Sequence, residues 1–345
     1  MKQGTRYFPG IDSTLTRARS TATALSALLA AVLLAGAAQA QAQSAADYPS
    51  KTISIVVGFP PGTATDTVAR LLCERLAPRL GKPCVIDNKA GQGGSIGAAF
   101  AAAAAPDGHT LVLSATAPLA INPNLYAKLA YDPRKDFAPI GLVSWLPFVL
   151  VTNPRTGINT LQEMIARAHA NPGKLTYASI GNGSTSHLLM SMLLQQGGMN
   201  IVHIPYKGSA QSQTDLIAGQ VDFTFDTMLT AMPHVRSGRL KALATSGKTR
   251  SPFAPEIPSV AEQGLASFDA GAWLGLLAPA GTPKAIVDRL NKELVAVLGE
   301  AETRKRLLDQ GSEPMLSTPE EFTAHIVSEL AKWGQRVRDS GAKIE

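Results

Sequence analysis

The sequence predicts an α/β fold of two domains, each a mostly parallel sheet flanked by helices, joined by two crossing strands. Three observations carry this reading. Short apolar runs alternate with stretches that are apolar at helical spacing, the order expected of βαβ units. The alternation restarts after residue 152. Two long apolar passages, 137–152 and 271–278, bracket the restarted part.

The first apolar run, 53–57, is a strand. It leads through Phe59-Pro60-Pro61-Gly62-Thr63-Ala64-Thr65-Asp66 into a helix over 67–80. Pro60 and Pro61 hold this turn extended, and Gly62 permits φ > 0. Thr65 or Asp66 caps the helix. Its first N–H groups have few intrahelical partners and carry partial positive charge, so the loop suits an anion such as a carboxylate.

A second strand, 84–87, precedes a Gly-rich loop, 91–97, and an Ala-rich helix over 98–105. Pro106-Asp107-Gly108-His109 turns the chain into a third strand, 110–113. The passage 137–152, broken at Pro147, reads as one extended strand running between domains. The second series follows: helix 161–170, strand 175–179, helix 187–196, strand 201–204, helix 213–218, and strands 221–225 and 240–245. Helices near 285–298, 303–310 and 319–340 complete the chain. The expected domains are 47–142 with 264–345, and 143–263. Ligands of such sheets bind beyond the carboxyl ends of the strands.

Residues 1–40 read as a secretory signal and not as fold. Lys2, Arg6, Arg17 and Arg19 lead into an apolar stretch from Leu25 to Gly36, and Ala38-Gln39-Ala40 fits a cleavage site. The mature chain is expected in the periplasm. Its charge falls from +6 to +3, with 28 basic and 25 acidic groups. The basic residues are scattered, which gives no footprint for nucleic acid. The only cysteines, Cys73 and Cys84, both follow the leader. A disulfide and two buried thiols are the alternatives.

Hydroxyl residues gather where strands end: Thr63, Thr65, Ser179, Ser184, Thr185, Ser186 and Ser209. The segments 53–72 and 175–194 echo each other as strand, small-residue loop and helix. Two such loops across a cleft can hold a small anion through hydroxyls and N–H groups. Asp66 reads as a cap, and Asp226, after the strand 221–225, as an acceptor. The loop 91–97 has the wrong glycine spacing and position for a dinucleotide fingerprint. Gly93-Gly94-Ser95-Ile96-Gly97 matches a nucleophile pattern, but it does not directly follow a strand. An exported serine hydrolase using Ser95 is therefore an alternative and not the main reading. His187 and His203 lack metal-ligand spacing. No metal and no cofactor is expected.

The ordered motifs FPPGTATD (59–66), DNKAGQGGSIGA (87–98), PDGHTL (106–111), YASIGNGSTSHL (177–188), HIPYKGSAQSQTDL (203–216), VDFTFD (221–226), IPSVAEQG (257–264) and APAGTP (278–283) span the mature chain. The set resembles the Bug family of periplasmic solute receptors, the TctC-like component of tripartite tricarboxylate transporters. The resemblance implies a type II, venus-flytrap periplasmic-binding-protein fold and a monomer without enzymatic activity. The implied ligand is a small carboxylate: a di- or tricarboxylate, an amino acid or an aromatic acid. Delivery would be to membrane transporter subunits, the alternative being signalling to a membrane kinase. The implied ligand-binding set is Phe59, Pro61, Gly62, Thr63, Ala64, Thr65 and Asp66 from the first loop. Ser179, Gly181, Asn182, Gly183, Ser184, His187, Tyr206, Lys207 and Asp226 complete it. The chain departs from the commonest pattern at Thr63, where many members have Gly, at Gln211-Ser212, and at Met190. Met190 replaces an acidic residue and is expected to make the ligand wall less polar.

Overall fold

Ile53–Val57 (β1) is apolar except at Ser54 because it lies inside a sheet with strands on both sides. It pairs in parallel with Cys84–Asn88 (β2) and with Thr110–Ala115 (β3). The computed structural model describes Met1, Gly4 and residues 47–342, and the chain from Pro49 onward forms one compact unit. The remainder of the expected leader lies outside the described residues.

Between β1 and β2 runs Ala64–Leu80 (α1), which buries Val68, Leu71, Leu72, Leu76 and Leu80. It ends at Gly81, whose φ of 70° makes the left-handed cap that glycine accepts at least cost. Cys73 in α1 and Cys84 at the start of β2 are joined as a disulfide, with Cα atoms 5.3 Å apart.

The first sheet also holds Phe137–Leu146 (β4), Ala272–Pro279 (β10) and Glu313–Pro314 (β11), in the order β11-β4-β10-β3-β1-β2. The second sheet is built from Phe148–Thr152 (β5), Thr176–Ser179 (β6), Val202–Pro205 (β7), Phe223–Thr227 (β8) and Lys241–Thr245 (β9), in the order β7-β6-β8-β5-β9. Each sheet is mixed, where the sequence suggests mostly parallel strands. The parallel trios β2-β1-β3 and β7-β6-β8 are present. The crossing and returning strands β4, β5, β9, β10 and β11 pair antiparallel.

The apolar passage 137–152 is two strands in two sheets, not one. Pro147 alone separates them, and having no N–H it cannot continue a ladder. The passage therefore changes sheet at Pro147, and residues 143–146 stay with the first sheet instead of opening the second domain. We call the two sheets with their helices the first and second lobes.

Helix starts are earlier than periodicity places them. Ser95–Ala102 (α2) begins directly after Gly94, Thr185–Gln196 (α4) after Ser184, and Ser209–Ala218 (α5) after Gly208. Small polar residues in the first turn hide these starts from an apolar pattern. Leu161–Ala170 (α3) lies where periodicity puts it. Met228–Arg236 (α6) is unforeseen, because Pro233 inside it reads as a breaker. Lys284–Gly299 (α7), Ala301–Asp309 (α8) and Pro319–Ser340 (α9) close the chain, the last with a capping box between Thr318 and Glu321. The indole N–H groups of Trp273 and Trp333 both donate to Glu329 Oε2 at 3.0 Å. This bond ties α9 to β10, and Trp273 is wholly buried away from the cleft. Among the described residues, no helix is long and apolar enough to cross a membrane.

Candidate functional site

The loop from Phe59 to Thr63 is held from below by one carboxylate. Asp66 accepts from Gly62 N–H at 2.9 Å, from Asn88 Nδ2 at 3.0 Å, and from Arg70 Nε and Nη2 at 2.9 and 3.0 Å. Asn88 Nδ2 also donates to Phe59 O at 2.9 Å. Burial works against ionisation of Asp66. The hydrogen bonds from Arg70, Gly62 and Asn88 outweigh it and hold the carboxyl below its ordinary range. The cap of α1 is Thr63, not Thr65 or Asp66. Its side chain caps nothing, because Thr63 Oγ1 donates to Pro60 O at 2.9 Å. With Asp66 spent on Gly62, the N–H groups of Ala64 and Thr65 have no partner among the described residues.

On the second lobe most predicted hydroxyls are also engaged. Ser179 Oγ lies 2.7 Å from His203 Nε2 and accepts from Gly181 N–H at 3.2 Å. Ser184 caps α4, donating to Gly181 O at 2.7 Å and accepting from His187 N–H at 3.3 Å. Ser186 Oγ donates to Phe225 O. His187 Nδ1 accepts from Gly183 N–H at 3.3 Å, so its ring braces the same loop. That ring stacks on His203 with centroids 4.3 Å apart, and His203 stacks on Tyr177 at 4.7 Å. Burial lowers His187 to about 4; burial and the neighbouring His187 lower His203 to about 3. Both rings are neutral near pH 7.

Asp226 is fully buried. It accepts from Ser209 Oγ at 3.0 Å, Gln213 Nε2 at 2.9 Å and Thr227 N–H at 2.8 Å. Burial raises its pKa in spite of these bonds. It therefore anchors the starts of α5 and α6 from behind.

Two neighbouring cavities lie between the lobes. The inner one, about 30 Å³, is lined by Thr63, Ala64 and Thr65 from the first lobe and by Thr185, Ser209 and Thr227 from the second. Each of these residues belongs to, or caps, a helix start: α1, α4, α5 and α6. Four helix N-termini around one small space favour negative charge there. The outer cavity, about 590 Å³, lies between the Gly91–Gly94 backbone and Tyr126 on one side and Gly181, Asn182, Tyr206 and Lys207 on the other. Phe59 and Ile180 line both.

Of the sequence-predicted set, Phe59, Thr63, Ala64 and Thr65 line the inner cavity, and Gly181, Asn182, Tyr206 and Lys207 the outer one. Pro61, Gly62, Asp66, Ser179, Gly183, Ser184, His187 and Asp226 line neither. They lie under or beside the lining loops. Thr227, Ile180 and Tyr126 were not foreseen. Thr227 goes with the helix that Pro233 concealed, and nothing in the sequence marks the other two. Met190 is buried inside α4 and lines neither cavity, contrary to the expected wall position.

Ser95 is buried at the start of α2. Its Oγ accepts from Asn122 Nδ2 at 2.8 Å and pairs with Tyr131 OH at 3.1 Å, and neither partner is a general base. The glycines before it instead let the lobes meet. A Cβ on Gly93 would stand 2.7 Å from the Gly183 carbonyl carbon, and Tyr126 OH donates across to Asn182 O at 3.4 Å.

This two-lobed geometry agrees with what the chain matches. Residues 68–342 match the tripartite tricarboxylate transporter family receptor, TctC. The chain belongs to this family. It is 38% identical to protein BugT of Bordetella pertussis over 315 residues, which is 91% of this chain and 97% of BugT. The structure of the periplasmic binding protein BugD superposes with a TM-score of 0.83 at 35% identity, covering 86% of this chain and all of BugD. R. palustris Rpa4515, solved with adipate, gives 0.84 at 32% identity over 86% of this chain and all of that one. As a TctC-family receptor the chain is a solute-binding protein, and the proteins that it resembles are binding proteins, not enzymes.

Proposed function

We propose that this receptor captures a small carboxylate between its lobes in the periplasm, without breaking a bond in it, and hands it to the membrane subunits of a tripartite transporter. One observation carries the reading: four helix starts, one of them (α1) with two N–H groups, those of Ala64 and Thr65, unpartnered among the described residues, surround a cavity with no side-chain charge in its lining. Amides and hydroxyls hold an anion without a counter-charge and can release it again.

The inner cavity, about 30 Å³, is large enough for about two waters, each needing roughly 10–15 Å³. The body of the ligand therefore belongs in the outer cavity, with its carboxylate directed inward and bridged to the helix starts. Such water bridges approach direct hydrogen bonds in strength and tolerate ligands of several shapes. The adipate bound to Rpa4515 is a carboxylate of this size class.

A thermal-shift screen of ligand-free protein against mono-, di- and tricarboxylates, amino acids and aromatic acids tests this. At a hundred times its dissociation constant, a true ligand adds about 2.7 kcal/mol of stability. No shift with any carboxylate overturns the reading.

A further inference from the structure

Lys207 stands on the loop between β7 and α5, in the lining of the outer cavity. Among the described residues lining the two cavities, it alone carries a charge at neutral pH. Most other cations near the cleft are engaged: Arg70 pairs with Asp66, and Lys89 with Asp87. Lys207 is exposed and makes no ion pair or hydrogen bond with the described residues. The backbone of its loop is nevertheless held by its neighbours. Tyr206 N–H donates to Ser179 O at 3.0 Å, and Tyr206 OH donates to Asp215 Oδ2 at 2.8 Å. Gly208 lies against Pro60 of the opposite lobe, where a Cβ would come 3.1 Å from the proline ring. The loop is thus braced on both sides, which sets the Lys207 backbone where the lobes meet and leaves its side chain free to move over the outer cavity.

We propose that Lys207 is a specificity residue that reads a second negative charge at the far end of the ligand, and so separates dianions from monoanions. The inference rests on the carboxylate reading above and deepens it. The inner cavity admits little more than water, so a ligand whose first carboxylate is directed at the helix starts must extend past Phe59 and Ile180 into the outer space. Its far end then lies in the cavity that Lys207 lines. A carboxylate there gains the one mobile cation available, whereas a methyl end gains nothing from it. A ligand ammonium would find no side-chain carboxylate in either lining. The chemical class is therefore a short α,ω-dicarboxylate or a related dianion. Lysine suits this task, because its flexible stem can follow distal charges at several distances.

The test uses calorimetric titration of the mature protein with two matched series: succinate, glutarate and adipate against butyrate, valerate and hexanoate. Low ionic strength is needed, since an exposed charge is screened within about 10 Å at 0.1 M salt. The wild type should bind at least one dicarboxylate ten-fold or more tightly than its monocarboxylate partner. Lys207→Met should bring that ratio towards one, and Lys207→Arg should keep it. A ratio that survives Lys207→Met overturns the inference and leaves the carboxylate reading standing. Absence of binding by any acid to the wild type overturns the carboxylate reading itself, and the inference falls with it. Circular dichroism of each variant distinguishes lost preference from lost fold.

Discussion

Gly93 of the first lobe and Gly183 of the second meet backbone to backbone, and a Cβ on Gly93 would stand 2.7 Å from both the carbonyl carbon and the oxygen of Gly183. Contacts that close leave no room for any side chain. Gly93 also has φ of 56°, a left-handed conformation that costs other residues about 1–2 kcal/mol. Gly93→Ala should therefore obstruct the approach of the lobes while leaving each lobe folded. Small-angle scattering should show a larger radius of gyration with ligand than the wild type has, and the dissociation constant should rise ten-fold or more. A variant that compacts and binds like the wild type would show that the Gly93–Gly183 contact has no part in capture.

The strut beneath the first loop makes a second prediction. Asp66 links Gly62, Asn88 and Arg70, so its loss frees the loop that carries Ala64 and Thr65. Asp66→Ala also leaves the Gly62 N–H and the Asn88 amide short of an acceptor; an unpaired buried group costs about 1–3 kcal/mol, and with Gly62 exposed and Asn88 half-buried the cost of each lies at the low end. Denaturant unfolding should show a loss of about 2 kcal/mol or more, and carboxylate affinity should fall with it. Asp66→Asn keeps one acceptor oxygen and should fall between the two. Because the folded carboxyl has a lowered pKa, its contribution is complete above the ordinary carboxylate range and is lost as pH falls below it. Unchanged affinity in Asp66→Ala would mean that the loop holds its shape without the strut.

The fold was legible where the sequence declares it by period and by motif. β1, the Pro/Gly turn and α1 follow from an apolar run, two prolines and a 3.6-residue repeat, and their bounds differ by a few residues only. The site was legible as a set of loops but less so residue by residue. Ser179, Ser184 and Asp226 read as ligand contacts because they end strands and carry oxygens, yet each oxygen is spent on the protein itself. Sequence shows which groups could donate or accept. It does not show which are already paired, because His203 reaches Ser179, and Gln213 reaches Asp226, only through the fold. Thr227 escaped because Pro233 looks like the end of a helix, whereas it lies in the interior of a nine-residue one.

The stacked pair His187 and His203 predicts a pH response. The groups facing them are Tyr177, the Ser179 hydroxyl and the Gly183 N–H, and none of these is an anion able to stabilise an imidazolium. His187 is lowered to about 4 and His203 to about 3, against an ordinary value near 6.5. Between those values the unfolded chain binds more protons than the folded one, so stability rises with pH. The contribution of the pair is complete above about pH 6.5 and is lost as pH falls towards 4 and below. For the buried His187 alone it is on the order of 3 kcal/mol. Asp226 works in the opposite sense. Its raised pKa adds stability at acid pH that is lost as pH rises, so the bare curve mixes the two. The comparison to make is therefore between wild type and His187→Gln, a polar side chain that does not titrate. Urea unfolding at pH 7.5, 6, 5 and 4 should show the wild type losing more stability on acidification than the variant does. The carboxylate dissociation constant of the wild type should rise over the same interval, because the Gly183 N–H loses its acceptor when Nδ1 takes a proton. Parallel curves for the two proteins would mean that the imidazoles titrate without cost to the fold.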